Sequence, residues 1–428
     1  MTRLEAEIDG LALDLAWSHW GELGVDGRQR RHDWQAIDLE PLIIFTAAIG
    51  NLDSRLRANS MDWCIANARF ASAFRLRNLA EQDSDETRAA FGRYAATIKA
   101  HAKVPWPSLG DPLAIWTSER ISEPDLRRPS LIQLRLRALV GVSARAEILK
   151  LMLADPARGQ AASTLAEAAG YGKGSVAQAL DMLTMAGIVE VQPTANRLVY
   201  RLARPAKLVD VLQSLPAVFP DWSPIFRITK ALTEFGHIRS TTPLARAAEV
   251  QRTILSIDHD LQRLGITDRA PRPGGPASVT EFEHWALAFL ADQCGRGEAG
   301  TSANDVTYTF HHLSFGSWMA TVGHGGREPL RLEADEISQH GHEDAGSDHP
   351  DESTGAPELA NAMFRDVLTR ARPKIHDAQP NDPVTRLISG EFAAQLLRPM
   401  RSGQEATFSA EYVRRWYENR RQGFASTG

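Results

Sequence analysis

Lys173, Ser175 and Gln178 lie close together in the chain, interleaved with Val176, Ala179, Leu180 and Leu183. At helical spacing the apolar four form one stripe, and the polar three are expected on the opposite face. A glutamine amide carries a donor beside an acceptor and can pair with both hydrogen-bonding positions of adenine, while Lys and Ser reach guanine or a phosphate. Ser163 and Thr164 open the preceding helical segment, where hydroxyls and free backbone N–H groups can hold an anion. Tyr171 sits in the Gly170-Tyr171-Gly172 turn between the two segments, and Asn196 and Arg197 mark the tip of an expected hairpin, suited to phosphate or the minor groove. These eight residues are the candidate contact set for double-stranded DNA. Each also has an ordinary reading: Ser163 as a helix N-cap, Lys173 as a solvated helix start. Their joint placement favours the duplex.

Other chemistry finds less support. His340, His342, Glu343, Asp344, His349 and Asp351 include many metal-ligand types, but their spacing fits no closed site and nothing nearby would hold them rigidly. His311-His312 reads the same way. Cys64 and Cys294 give neither metal spacing nor a disulfide framework, and are expected as core thiols. No phosphate loop, nucleophile elbow or nucleotidyltransferase Gly-Ser pair with spaced aspartates is found. Asp9, Asp14 and Asp62 are carboxylates scattered on helices. No catalysis, cofactor or metal is expected; an enzyme would have to assemble its site from distant residues.

The elements around the polar trio follow a recognisable order. Ile148, Leu149, Met152 and Leu153 mark a first helix, Leu165, Ala168 and Ala169 a second, and Val176 to Leu183 a third. Gly170-Tyr171-Gly172 supplies the tight turn of a helix-turn-helix, and Gly187 closes the third helix. The period then alternates: Ile188, Val189 and Val191 predict one strand, Pro193-Thr194-Ala195-Asn196 a turn, and Leu198, Val199, Tyr200 and Leu202 a return strand. On Ala144-Arg145-Ala146-Glu147-Ile148-Leu149, Leu165-Ala166-Glu167, Tyr171-Gly172-Lys173-Gly174-Ser175-Val176, Leu180 to Leu183, Ala186-Gly187-Ile188-Val189 and Tyr200-Arg201-Leu202, the segment resembles the winged helix-turn-helix family of bacterial transcriptional regulators. The resemblance covers 144–207. It implies a sequence-specific DNA-binding regulator that acts as a homodimer on paired half-sites. Winged helices also dock proteins, so the alternative is an antitoxin-like or defence-associated component whose winged helix holds a partner protein.

Charge agrees with the first reading. The chain of 428 residues carries a net −5, yet Arg127 to Lys207 holds twelve Lys/Arg against five Asp/Glu. A basic module in an acidic chain fits a site-specific DNA binder with affinity that falls steeply with salt. Met1 to Glu7 is no signal peptide and no apolar run reaches a membrane span, so a cytoplasmic protein without membrane contact is expected.

The fold class expected is mainly α, with several domains around the central winged helix. Residues 1–100 read as a helical domain in which Trp17, Trp20, Trp34 and Trp63 alternate with aliphatics and so anchor a core rather than stack bases. Arg28-Gln29-Arg30-Arg31-His32 reads as an exposed loop rather than a phosphate contact. Residues 101–143 are a Pro-rich connector and lead-in helix, in which Arg135 and Arg137 face either phosphate or solvent. Residues 208–295 form a C-terminal helical domain, including a long packing helix at Leu244 to Leu264. Residues 296–428 are an extension with a disordered segment near 338–356, a weakly alternating strand from Val306, and terminal helices, the last basic through Arg414, Arg415, Arg420 and Arg421.

Overall fold

The computed structural model describes residues 2–25, 32, 35–114, 123–156, 158–194, 197–216, 218–240, 242–272, 274–275, 277–294, 306–312, 318–324, 330–331, 356–370, 383–397 and 405–425. The protein is mainly helical. Its elements are α1 (Arg3–Glu22), α2 (Leu39–Ile49), α3 (Ser54–Asn67), α4 (Ala73–Ala80), α5 (Asp85–Ala102), α6 (Ile132–Val140), α7 (Ala144–Ala154), β1 (Gln160–Ala161), α8 (Ala162–Ala169), α9 (Lys173–Met185), β2 (Val189–Thr194) and β3 (Arg197–Leu202). There follow α10 (Pro205–Leu212), α11 (Trp222–His237), α12 (Pro243–Leu264), α13 (Ala277–Gln293), β4 (Val306–His312), β5 (Trp318–His324), β6 (Leu330–Arg331), α14 (Ala356–Arg370), α15 (Pro383–Phe392), β7 (Glu405–Ser409) and α16 (Ala410–Ala425). The chain forms two units, one of Met1–Pro205 with Phe219–Glu298, the other of Ala206–Val218 with Ala299–Gly428.

Helix starts in the first unit are set by side-chain caps. Thr2 and Glu5 form a reciprocal capping box on α1, Asp53 caps α3, Ser84 caps α5, and Thr242 caps α12 just before Pro243. Helices before and after the segment 144–205 bury their apolar faces in one core, where Phe45 of α2 stacks on Phe226 of α11 at 4.7 Å between ring centroids. Tryptophans anchor that core, and four of their indole N–H groups find an acceptor. Trp20 donates to Thr46 Oγ1, Trp63 to the Leu23 carbonyl, Trp222 to the Ala36 carbonyl, and Trp17 to Asp53 Oδ2. Trp34 lies outside the described residues, as do Arg28 to Arg31. His32 belongs to the interior instead of an exposed loop: its Nε2 donates to the Gln293 carbonyl and its Nδ1 accepts from Ser18 Oγ. Its ring lies 4.3 Å from that of His19, which meets the edge of Trp222.

In the second unit β4 to β7 form an antiparallel sheet in the order β6-β5-β4-β7. Tyr308, Phe310, Ala320 and Phe408 alternate along these strands into a core shared with Phe364, Phe392, Tyr412 and Trp416. Tyr412 also donates to the Leu215 carbonyl, which fastens the strand-helix layer to the end of the 206–218 segment. The segment 338–356 is outside the described residues except for Ala356, and so are the six candidate ligands His340, His342, Glu343, Asp344, His349 and Asp351. Among the described residues no helix is long and apolar enough to cross a membrane, and no group of His, Cys, Asp or Glu is placed to hold a metal.

Candidate functional site

Three helices and a small sheet build the site. Ile148, Leu149, Met152 and Leu153 of α7, Leu165 and Ala169 of α8, and Val176, Ala179, Leu180 and Leu183 of α9 are all buried. The turn between α8 and α9 needs Gly170, whose φ of +68° favours glycine over any residue with a Cβ. β1, β3 and β2 pair antiparallel in that order, with Val189 opposite Leu202 and Thr194 opposite Arg197. Residues opposite one another share a face. One face therefore runs Val189, Leu202, Val191, Tyr200, Pro193, Leu198, buried at its root and exposed at Leu198. The other carries the Glu190–Arg201 ion pair.

The candidate contact residues do not all fall together. Ser163 and Thr164 are exposed in the first turn of α8, one and two residues past its start, and Ala161 occupies the N-cap position. Ser175 and Gln178 are exposed on α9, and Arg197 is exposed on β3; Asn196 lies outside the described residues. Lys173 departs from the expected face. At about 100° per residue it stands about 140° around the axis from Gln178. Exposure at the helix start hides that difference. The stripe continuing Ser175 and Gln178 at i+3 and i+4 spacing is Met182 and Met185, which are 49% and 83% exposed.

Tyr171 turns toward its own protein. Its hydroxyl lies 2.8 Å from Ser72 Oγ and its ring stacks on Phe74, while Asn78 Nδ2 donates to the Gly170 carbonyl and Arg75 Nε to the Ala169 carbonyl. Helix α4 thus clamps the α8–α9 turn.

Behind the clamp lies a buried charge network joining α7 to α2, α4 and α6. Arg75 pairs with Asp38 and Glu40, Arg137 with Glu40 and Glu147 at 2.6 and 2.5 Å, and Lys150 with Asp38 and Glu147 at 2.9 and 3.1 Å. Gln133 Nε2 bridges Asp38 and Glu147. Three carboxylates meet three cations. Burial disfavours ionised Glu147, but the adjacent Arg137 and then Lys150 outweigh it and hold its pKa down to about 2. Asp38 is held lower still, Arg75 and Lys150 overcoming the same penalty.

Much of the basic excess is therefore committed. Besides Arg137 and Lys150, Arg127 pairs with Asp125, Arg128 with Glu22 and Arg201 with Glu190. Arg135 donates to the carbonyls of Leu126 and Arg128, and burial pushes its pKa down to about 10. Arg158, Lys173, Arg197 and Arg204 are exposed, with no ion pair among the described residues.

A cleft of about 1020 Å³ opens beside the α8–α9 turn, with Ser163, Glu167, Tyr171 and Lys173 on one wall. Its other walls are the α4–α5 turn at Glu81 to Ser84 and residues of α11 and α12 from Arg227 to Arg263. Five carboxylates and four cations line it, so it does not attract a polyanion. Comparison with known family models, curated proteins and solved structures finds no match to this chain.

Sequence reasoning missed the clamp and the network. The available signal was charge inside apolar helix, with Glu147 and Lys150 flanked by Ala146, Ile148, Leu149 and Leu151. Such residues stay buried only when paired. The partners, however, lie as far as 112 positions away. The carboxylate Asp9, one of three considered for an enzyme site, instead meets His237 Nε2 at 2.9 Å.

Proposed function

We propose that residues 144–205 are a winged helix that reads double-stranded DNA in a sequence-specific manner, with α9 as the reading helix of a transcriptional regulator. One observation carries this: α9 packs its apolar face away while Ser175 and Gln178 stay exposed, together with Ser163 and Thr164 on α8 and Arg197 on β3. Gln178 supplies the adenine contact, the start of α8 takes a phosphate, and Arg197 reaches a second phosphate from the hairpin. Two copies on paired half-sites would make the complex a homodimer.

The test is selection of a preferred duplex from a random-sequence pool by the full chain, followed by binding titrations. Few cations near α9 are uncommitted, so the expected slope of log K against log salt is shallow, about −2 to −3 for Arg158, Arg197 and Arg204. Ser175→Ala with Gln178→Ala should weaken the selected duplex about tenfold or more while leaving thermal stability unchanged. Failure to enrich any sequence, or unchanged affinity in the double variant, sinks the proposal.

A second reading has its own support. Met182 and Met185 extend the Gln178 stripe, and Leu198 exposes the apolar face of the hairpin. Apolar surface of this kind suits a protein partner, as in an antitoxin-like or defence-associated component. In that case Met182→Ser with Met185→Ser would abolish partner capture and leave DNA affinity untouched.

A further inference from the structure

The cleft beside α9 has a charge pattern that specifies a ligand. Most of its wall charges neutralise one another: Arg227 with Asp260, Lys230 with Asp83 at 3.2 Å and Glu234 at 3.6 Å, and Arg263 with Asp221 just outside. Lys230 also donates to Ser84 Oγ and Thr87 Oγ1, which fixes it against the start of α5. Three charged lining side chains remain without a hydrogen bond or ion pair among the described residues: Glu81, Glu167 and Lys173. Two lie on the helix-turn-helix wall and one on the α4–α5 wall. The complement of two carboxylates and one ammonium is a molecule with two cationic groups and one anionic group. These three uncommitted charges sum to −1, which matches a ligand of net +1.

We propose that this cleft binds a basic α-amino acid of the arginine or lysine type. Lys173 receives the α-carboxylate, and Glu81 and Glu167 take the α-ammonium and the side-chain cation. Arrangement across the two walls explains why a simple cation is a poor fit, since it leaves Lys173 unsatisfied. An anion such as phosphate is worse, since it meets the carboxylates. The assignment does not depend on what α9 contacts, because the ligand is recognised by the protein alone.

Calorimetric titration of the full chain without DNA tests it, using L-arginine, L-lysine, agmatine (which lacks the carboxylate) and L-citrulline (which lacks the side-chain charge). Saturable binding of L-arginine or L-lysine is expected, with agmatine and L-citrulline each about tenfold weaker for the lost charged contact. Lys173→Met should erase the preference for arginine over agmatine. Glu81→Gln or Glu167→Gln should erase the preference for arginine over citrulline. All three sites are exposed, so the variants are expected to fold, and an unchanged melting temperature checks this. Absence of saturable heat with both amino acids, agmatine or citrulline binding as tightly as arginine, or preferences that survive these substitutions would overturn the assignment.

Discussion

Arg137 has no exposed side-chain surface and touches two carboxylates that are equally enclosed. Removing it leaves Asp38, Glu40 and Glu147 to share Arg75 and Lys150, so one buried negative charge goes uncompensated, the costly way to break a buried network. Arg137→Met is therefore expected to cost about 3–5 kcal/mol in chemical denaturation, whereas Arg158→Met on the surface should stay within about 0.5 kcal/mol. Acid acts on the same cluster. The folded pKa of Glu147, about 2, lies below the ordinary 4.5, so its contribution is fully present above 4.5 and is lost as pH falls toward 2. His19 acts earlier. Burial, with His32 beside it, holds its pKa well below 6.5, and a neutral imidazole in the fold means that stability begins to fall once pH drops under 6.5. Denaturation midpoints measured from pH 8 to 3 should decline in two stages, and His19→Gln should remove the first.

At the level of elements, the α8–α9 turn is where local sequence and distant packing meet. Gly170→Ala must place a Cβ at φ +68°, 3.4 Å from Arg75, and is expected to cost about 1 kcal/mol or more. Tyr171→Phe keeps the ring on Phe74 and loses only the contact with Ser72, about 1 kcal/mol. Thermal melts of both variants order the two effects. This turn also shows what a one-dimensional reading captures. Apolar period, the glycines at 170 and 187 and the change to alternation at Ile188 placed α8, α9, β2 and β3, because those signals are local. The long α12 was legible for the same reason, ending at Gly265 after 22 residues. The inward turn of Tyr171 was not, because its partners come from α4, nearly a hundred residues earlier. The divergence of Lys173 from Gln178 was open to arithmetic on the helix, but exposure at a first turn makes both look equally free. Nothing in the Pro-rich stretch before α6 points to the hydrogen bond that the Ser130 hydroxyl donates to Glu22 Oε2, 108 positions away.

Across the whole first unit, residues 144–205 are built into their surroundings rather than tethered to them. Excised alone, they would expose the α7 surface bearing Glu147 and Lys150 and lose the bonds from Arg75 and Asn78 to the turn. Circular dichroism of that fragment should show a broad, low-temperature melt in place of the cooperative transition of the full chain. The shared core has a kinetic counterpart. Phe45 waits for Phe226, and the Ala36 carbonyl for Trp222, so nearly two hundred residues must leave the ribosome before the first helices find their cover. Closing such separated contacts is slow, and nascent chains halted at residue 218 should bind hydrophobic dyes and chaperones until translation supplies α11.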